Sequence, residues 1–305
     1  MYHRIADAEL DPWDIKVSAD SFEKQVRYIR ENMNPIPLSA LNEESGELES
    51  PVVISFDDGY LDNYTTAKPI LEKYQVPASF FITSSRIGKA EGFWWDRLAH
   101  IFLEKKSLPV SGEVIVDQKK ISFELGADAN LTAPQQILLR HWKANEAAPN
   151  KRAEVFYSIW RALKFSVSGD QEDVIDYLEN WSGSPEYSAP LMSWNQIREI
   201  SHHELFSVGG HSVNHFLLDL LGEKEQYQEI NENRKTIQGQ IGKKVNSFAA
   251  PFGGYNHHTL EILKNAGIEL ALTTHHEPTN LEEILKNPLE IPRIQVKDNT
   301  HIDRL

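Results

Sequence analysis

The stretch Pro51-Val52-Val53-Ile54-Ser55-Phe56-Asp57-Asp58-Gly59-Tyr60 decides how the rest of the chain is interpreted. Its first part is mostly apolar and β-branched, which is typical of a strand buried on both faces. Two carboxylates follow where this strand ends, and Gly59 permits a tight turn. In β/α folds the carboxyl ends of strands face the active site, so Asp57 and Asp58 are candidate site residues. For this segment alone, a turn in which Asp58 caps the next helix is the alternative.

The alternation of strands and helices continues on both sides of this stretch. A helix capped by Ser18 comes before it, and helical spacing at residues 61–74 and a buried strand at 78–83 come after it. From residue 194 onward, strands are predicted at 205–208, 247–250, 269–273 and 290–296, and helices at 194–200, 219–241 and 258–265. The pattern predicts an α/β fold, namely a distorted or incomplete (β/α) barrel.

Residues 92–192 interrupt this alternation. They show helical patterns and a hairpin-like segment at residues 110–123, without a run typical of a buried strand. We therefore predict that residues 1–91 form the first part of the barrel, residues 92–192 a largely helical insertion, and residues 193–305 the second part of the barrel. The charged run at residues 223–235 is predicted to form a solvated helix face.

Composition excludes several classes of function. The 305 residues carry 31 Lys and Arg against 45 Asp and Glu, and the net charge of −14 disfavours nucleic acid and anionic lipid as partners. A chain without cysteine has no thiolate metal site, disulfide scaffold or Cys nucleophile. No apolar run approaches the roughly 20 residues that span a bilayer, and the N-terminus lacks the pattern of a signal peptide. As the chain stands we expect a cytoplasmic protein without membrane insertion, with export left open if the N-terminus has been trimmed.

A second motif, Gly209-Gly210-His211-Ser212-Val213-Asn214-His215, follows the strand predicted at residues 205–208. Two histidines four residues apart can chelate one metal ion, although chance alone also produces this spacing. Because both motifs follow strands of the same barrel, one carboxylate and two imidazoles would meet at one edge. Three such ligands with an open position are typical of a catalytic metal site.

A third motif, Phe248-Ala249-Ala250-Pro251-Phe252-Gly253-Gly254, ends the strand predicted at residues 247–250. Its Pro and Gly residues can turn a backbone N–H toward a pocket, where it would suit an oxyanion, and a plain exit from the strand is the alternative. In this order the three motifs resemble the polysaccharide deacetylase family (carbohydrate esterase family 4, the NodB-homology domain). Tyr2-His3-Arg4-Ile5 and Ile291-Pro292-Arg293-Ile294 are similar to the branch that includes poly-β-1,6-N-acetylglucosamine deacetylases.

The resemblance implies a metal-dependent hydrolase that removes N-acetyl groups from an N-acetylated sugar or polysaccharide. It implies a divalent metal, commonly zinc, held by Asp58, His211 and His215, with Asp57 as the general base on the water that the metal activates. The oxyanion would lie against the metal and the backbone N–H of Phe252. The further candidate contacts are Pro251, Tyr60 and Ser212, the last of which would touch substrate or support the ligands.

The chain departs from the family pattern at two points. Many members have an Arg before the Pro-Tyr/Phe pair that holds the catalytic Asp; Ala249 occupies that position here, and Arg293 is the candidate replacement. The late His that serves as general acid has no clear match. The resemblance to the branch that opens with Tyr-His-Arg implies that the N-terminal His takes this role, which makes His3 the candidate acid, with His275 and His276 as alternatives. A hydrogen-bonded strand histidine is the other interpretation of His3.

Two further hypotheses stay open at this stage. A related amidohydrolase could act on a small cyclic amide, or the altered third motif could mark an inactive domain that binds glycan or a protein partner. The presence of both Asp57 and Asp58 argues against the inactive domain, because a binding module does not need the base.

Overall fold

The secondary structure comes from a computed structural model that describes residues 1–7, 10–42, 50–183, 187–276 and 279–302. The strands are β1 (Arg4–Ile5), β2 (Lys16–Val17), β3 (Asn34–Pro35), β4 (Pro51–Val52), β5 (Ile54–Phe56), β6 (Ala78–Ile82), β7 (Ser111–Val116), β8 (Lys119–Glu124), β9 (Phe206–Gly210), β10 (Ser247–Ala249) and β11 (Leu270–Leu272). The α-helices are α1 (Ala19–Asn32), α2 (Lys68–Tyr74), α3 (Trp94–Ala99), α4 (Ala133–His141), α5 (Lys151–Lys164), α6 (Gln171–Ser182), α7 (Trp194–His202), α8 (Glu223–Ile241), α9 (His257–Asn265) and α10 (Leu281–Lys286).

The central sheet is parallel and has the strand order β11-β10-β9-β6-β5. Every residue of β5, β6, β10 and β11 is buried. Parallel strands that are covered on both faces need apolar side chains on both faces, which explains why these segments are continuous apolar runs rather than alternating patterns. The sequence predicted all five strands, and the predicted α/β fold class is confirmed.

Residues from both ends of the chain extend this sheet. Tyr2 forms a parallel bridge with β5, and Ile291 forms one with β11. The two extensions meet, because the Met1 ammonium group donates to the Ile294 carbonyl at 2.8 Å and the Val296 N–H donates to the Met1 carbonyl at 2.9 Å. These links connect the two edges of the sheet, which with its surrounding helices forms a half-barrel, the incomplete form of the predicted (β/α) barrel.

Helices α1 and α2 flank the first strands of the barrel. The Ser18 hydroxyl caps α1 by accepting the Ser21 N–H at 3.3 Å, as predicted, and the helix buries Phe22, Val26 and Ile29, whose spacing places them on one face. The helix predicted at residues 61–74 begins instead with a π-helical turn, Asn63–Ala67, and continues as α2. Such turns are rare and frequently mark functional sites.

The chain divides into two compact units. The first contains the parallel sheet and comprises Met1–Asp7, Ile15–Lys89 and Leu191–Leu305, and the second comprises Ala8–Asp14 and Ala90–Pro190. Within the second unit, β7 and β8 form the antiparallel hairpin that the sequence predicted. None of the helices in the described residues is long and apolar enough to cross a membrane.

Two elements differ from the sequence prediction. The strand predicted at residues 290–296 is reduced to a single bridge at Ile291, since the following Pro292 has no N–H to donate to a ladder. The charged run at residues 223–235 does have the predicted solvated face, on which Glu223, Lys224, Glu225, Glu232 and Lys235 are exposed. The opposite face of α8 was not predicted: it buries polar residues, with Gln226 and Asn233 fully buried and Glu229 only 6% exposed. Buried polar groups of this kind need partners inside the fold, and the site described next provides them for Glu229 and Asn233.

Candidate active site

The candidate site lies at the carboxyl edge of the parallel sheet. Asp57 and Asp58 directly follow β5, His211 follows β9, and Pro251 lies two residues beyond β10. Because parallel strands present their carboxyl ends on the same side, side chains that are far apart in sequence meet there.

Asp58, His211 and His215 form a buried cluster whose potential ligand atoms lie within 4.8 Å of one another. Asp58 Oδ1 is 3.4 Å from His211 Nε2 and 3.2 Å from His215 Nε2. His211 Nδ1 lies 2.8 Å from the Ala249 carbonyl, so Nδ1 carries a hydrogen and Nε2 is the nitrogen that faces the cluster. A carboxylate and two imidazoles that converge in this way fit a divalent transition metal such as zinc.

The charges in this cluster shift the pKa of each member. Burial raises the pKa of Asp58, but the hydrogen bonds and charges of the two histidines lower it more, and the net pKa lies far below its usual range. Burial lowers the pKa of both histidines. The Asp57 and Asp58 carboxylates outweigh burial at His211, whose pKa is raised, and do not outweigh it at His215, whose pKa is lowered. Metal binding requires an ionised carboxylate and neutral imidazoles, so the shifts at Asp58 and His215 favour it and the shift at His211 opposes it.

Arg293 binds Asp57 through a bidentate ion pair. Nη1 donates to Oδ1 at 2.8 Å and Nη2 donates to Oδ2 at 2.7 Å, with both side chains almost completely buried. Arg293 Nε donates to the Thr273 carbonyl at 2.8 Å, which fixes the plane of the guanidinium group. Burial raises the pKa of Asp57, but Arg293 and His211 lower it more, so this carboxylate is ionised. Asp57 thus has a guanidinium partner, although Ala249 occupies the position at which the resemblance leads one to expect an Arg. Arg293 provides the guanidinium group instead.

His3 approaches the same carboxylates from the N-terminal segment. Asn63 Nδ2 donates to the His3 carbonyl at 2.8 Å, which holds the backbone in place. The Nδ1 atom of His3 is buried, with no hydrogen-bond partner among the described residues. Burial lowers the pKa of His3 more than the charges of Asp58 and Asp57 raise it, so the imidazole is neutral near pH 7.

The two alternative acids lie in a more open environment. His275 and His276 are both exposed. The His275 ring centroid is 6.1 Å from that of Tyr255, and His276 Nδ1 is 3.4 Å from the backbone nitrogen of Gln295. Of the three candidates, His3 is the one that is half-buried and near the two carboxylates, whose charges partly offset the lowering of its pKa by burial.

Four candidate site residues have a left-handed backbone conformation: Asp58 (φ 76°), Ser212 (φ 60°), His215 (φ 65°) and Phe252 (φ 53°). Each such conformation costs a non-glycine residue about 1–3 kcal/mol and tends to occur at functional sites. The Ser212 hydroxyl stabilises one of them by accepting the His215 N–H at 2.9 Å. The surrounding structure therefore holds these loops in shapes that they would not adopt alone.

The remaining candidates differ in their accessibility. Phe252 is half-buried, and its ring packs edge-on against the His215 ring with centroids 4.5 Å apart. Pro251 is buried, and Ser212 and Tyr60 are fully buried. The Arg4 guanidinium group also lies over the Tyr60 ring, with its carbon 4.5 Å from the ring centroid. In this conformation Ser212 and Tyr60 support the loops and present no surface to a substrate.

Two polar residues of α8, neither of them a candidate from the sequence, contact the histidine loop, which we define as residues 211–215. Glu229 accepts hydrogen bonds from Asn214, and Asn233 donates to the Ser212 carbonyl. Spacing gave a signal, because the buried positions recur every three or four residues as one face of a helix does: Gln226, Glu229, Ile230, Asn233, Ile237 and Ile241. This spacing was not recognised as a buried face, because hydropathy gives a buried polar residue the same value as a solvated one.

Comparison with known proteins identifies relatives of this chain. A family profile described as polysaccharide deacetylase matches residues 45–106 and 168–271, which is more than half of the chain. The chain is 33% identical over 93 residues to the Bacillus subtilis polysaccharide deacetylase homologue YxkH, a match that covers 29% of this chain and 32% of that protein. It is also 33% identical over 82 residues to the Escherichia coli poly-β-1,6-N-acetyl-D-glucosamine N-deacetylase, covering 25% of this chain and 12% of that protein.

A solved structure shares the fold over nearly the whole chain. The Streptococcus pyogenes deacetylase PplD, solved in complex with acetate, superimposes with a TM-score of 0.54 at 18% identity. The superposition covers 99% of this chain and 93% of that chain. The sequence matches to the curated relatives span less than a third of those relatives' own lengths, so their complete activities do not transfer directly to this chain.

Proposed function

This chain belongs to the polysaccharide deacetylase family, and from that premise we propose that it is a metal-dependent N-deacetylase acting on an N-acetylated sugar or polysaccharide of the N-acetylglucosamine type. The observation that carries the proposal is the buried cluster of Asp58, His211 and His215 beside the ion pair of Asp57 and Arg293. The cluster provides three ligands, and the ion pair provides an ionised base at the same edge of the sheet. The E. coli relative, an N-deacetylase of poly-β-1,6-N-acetylglucosamine, supports the substrate type.

Asp58, His211 and His215 are the proposed ligands, and zinc is the proposed cation. Two imidazole nitrogens and one carboxylate oxygen suit zinc better than calcium or magnesium, which prefer oxygen ligands. When bound, such a cation supplies Lewis acidity that polarises an amide carbonyl and makes water a stronger nucleophile near neutral pH. The Ala249 carbonyl supports this assignment, because it keeps His211 in the tautomer that binds through Nε2.

Asp57 is the proposed general base. Its carboxylate is ionised and therefore able to take a proton from the attacking water. Each carboxylate oxygen has a second lone pair after it accepts from Arg293, so the bidentate contact orients Asp57 without blocking it. Arg293 is accordingly proposed to position the base rather than to contact the sugar.

His3 and Phe252 are proposed to act on the other atoms of the amide. Cleavage of the C–N bond requires a proton on the leaving nitrogen, and His3 is the proposed donor. Because its resting imidazole is neutral, the proton has to reach His3 during turnover before it can be donated. The backbone N–H of Phe252, directly after Pro251, is the proposed hydrogen-bond donor to the oxyanion.

The test combines zinc binding and acetate release by chelator-stripped protein. We expect one tight zinc site per chain and its loss in Asp58→Ala and His211→Ala. The zinc-loaded parent and the control His257→Ala should release acetate from an N-acetylglucosamine oligosaccharide, and the two ligand variants should not. His257→Ala is the matched control, because it removes an exposed imidazole from the N-terminal turn of α9.

The outcomes separate the competing functions. Zinc binding that both substitutions abolish, without acetate release from any N-acetylated oligosaccharide, would favour the cyclic-amide hydrolase or the binding domain. Zinc binding that persists in both variants would contradict the proposed ligands.

A further inference from the structure

We propose that Glu229 and Asn233 of α8 are positioning residues that hold the histidine loop in the shape needed for metal binding. The inference rests on the metal site proposed above and extends it to a helix outside the three sequence motifs. Four observations carry it: the contacts of Glu229, the contacts of Asn233, the room made by Gly210, and the strained backbone of the loop.

Glu229 uses both of its carboxylate oxygens on one residue of the histidine loop. Oε2 accepts the Asn214 backbone N–H at 2.8 Å, and Oε1 accepts from Asn214 Nδ2 at 2.6 Å. Asn214 directly precedes His215, so Glu229 fixes the residue next to this proposed ligand through its backbone N–H and its side chain. Hydrogen bonds to a charged acceptor are among the stronger ones in proteins, and Glu229 is only 6% exposed.

Asn233 connects the same loop to the end of β6. Its Nδ2 donates to the Ser212 carbonyl at 2.5 Å and to the Ile82 carbonyl at 2.9 Å, and the side chain is fully buried. Ser212 directly follows His211. Asn233 therefore fixes the loop next to the first proposed histidine ligand, as Glu229 does next to the second.

Gly210 provides the space that Asn233 occupies. A Cβ atom on residue 210 would lie 2.6 Å from Asn233 Oδ1 and 3.0 Å from the Phe248 ring. Distances below 3.0 Å do not occur at a real Cβ without a shift of the neighbour. The absence of a side chain at Gly210 therefore allows Asn233 to occupy its position beside the histidine loop.

The histidine loop needs this support because its backbone is strained. Ser212 and His215 both have positive φ values, each of which costs about 1–3 kcal/mol. If the contacts from α8 were lost, the loop would relax and the two Nε2 atoms would no longer converge with Asp58. Partners that orient metal ligands typically contribute about 10–100-fold to metal affinity.

The experiment measures zinc affinity by competition with a chelator in the full chain. We expect zinc to bind about 10–100-fold more weakly to Glu229→Ala and Asn233→Ala than to the parent. Glu229→Gln keeps one acceptor oxygen and should retain more affinity than Glu229→Ala. Gln226→Ala is the matched control, since this fully buried residue of α8 contacts the Leu221 carbonyl and Thr259 instead of the histidine loop, and its zinc affinity should equal that of the parent.

A second variant keeps the proposal falsifiable if a buried substitution prevents folding. Asn214→Ala removes one donor to Glu229 from an exposed position and should lower zinc affinity in the same direction. Affinity equal to that of the parent in Glu229→Gln and Asn214→Ala would overturn the role of Glu229. A loss in Gln226→Ala as large as in Asn233→Ala would show a general effect of helix stability and overturn the inference. A parent that binds no zinc would contradict the proposed function instead.

Discussion

Asp57 and Asp58 are neighbours in the chain, yet their carboxylates have different partners. Asp57 pairs with the Arg293 guanidinium, and Asp58 faces the imidazoles of His211 and His215. Two adjacent carboxylates would ordinarily raise the pKa of one of them. Here the partners of each carboxylate lower its pKa, so both are ionised. Asp57 can therefore act as a base while Asp58 acts as a metal ligand.

The division of roles predicts separate effects of substitutions at Asp57 and Arg293. Asp57→Asn should lower kcat by about 10²–10⁴-fold, because it removes the base, while zinc affinity stays at the value of the parent. Arg293→Lys keeps the charge but not the bidentate geometry, so it should lower kcat less than Asp57→Asn does. Steady-state kinetics and chelator competition measure the two quantities. Full activity in Asp57→Asn would show that another group is the base.

His3 carries a prediction of its own. His3→Ala should lower kcat by about 10²–10⁴-fold with little change in zinc affinity, because it removes the proton donor and no ligand. His275→Ala and His276→Ala are the controls, since both imidazoles are exposed, and both should retain the kcat of the parent. A parent-like kcat in His3→Ala together with a loss in either control would transfer the acid role to that histidine.

At the scale of elements, the sequence predicted which loops would meet, but it did not predict all of the polar contacts that hold these loops in place. Asp58, His211 and His215 follow strands whose apolar runs are visible in the sequence, and parallel strands place their carboxyl ends together. The pairing of Asp57 with Arg293 spans 236 positions, and no local pattern encodes it. Arg293 could be suggested only because the resemblance called for a guanidinium group and Ala249 could not provide one.

Helix α8 shows why the polar part of the site was not predictable. Its sequence is rich in charged and amide side chains, and on hydropathy alone it is a surface helix. Burial of Glu229 and Asn233 is tolerated only because Asn214, Ser212 and Ile82 offer complementary backbone and amide groups. Those partners lie on other elements, so the burial becomes apparent only when the fold is assembled.

The contact between β9 and α8 predicts opposite effects for two glycine substitutions. Gly210→Ala should lower the free energy of unfolding by about 1–3 kcal/mol, because its methyl group would overlap with Asn233 and the Phe248 ring. Gly239→Ala is the matched control on α8, because the residue is exposed and a Cβ atom there would meet nothing within 4 Å. This change should raise the free energy of unfolding by about 0.5–1 kcal/mol. Denaturant unfolding measures both, and equal effects would contradict the packing of β9 against α8.

For the whole molecule, the division into two units separates the candidate chemistry from the rest of the chain. Asp57, Asp58, the histidine loop, Arg293 and His3 all belong to the first unit. The second unit has a framework of its own, in which the buried Arg152 side chain donates to the backbone carbonyls of Asp128 and Ala129 at 2.7 and 2.6 Å. A cation bound at the proposed site should therefore act on the stability of the first unit.

Zinc addition is expected to raise the unfolding temperature of the chelator-stripped protein. The cluster of Asp58, His211 and His215 exists only in the folded chain, so a cation that binds it favours folding, by about 2.7 kcal/mol at a hundredfold excess over the Kd. Calorimetry with and without zinc measures the shift, and the same addition to Asp58→Ala should leave the unfolding temperature unchanged. Magnesium should shift it less, since it favours oxygen ligands over imidazole. If the two units unfold in separate transitions, zinc should raise the unfolding temperature of the first unit only. An equal shift in the parent and in Asp58→Ala would mean that zinc stabilises the protein by binding at a site other than this cluster.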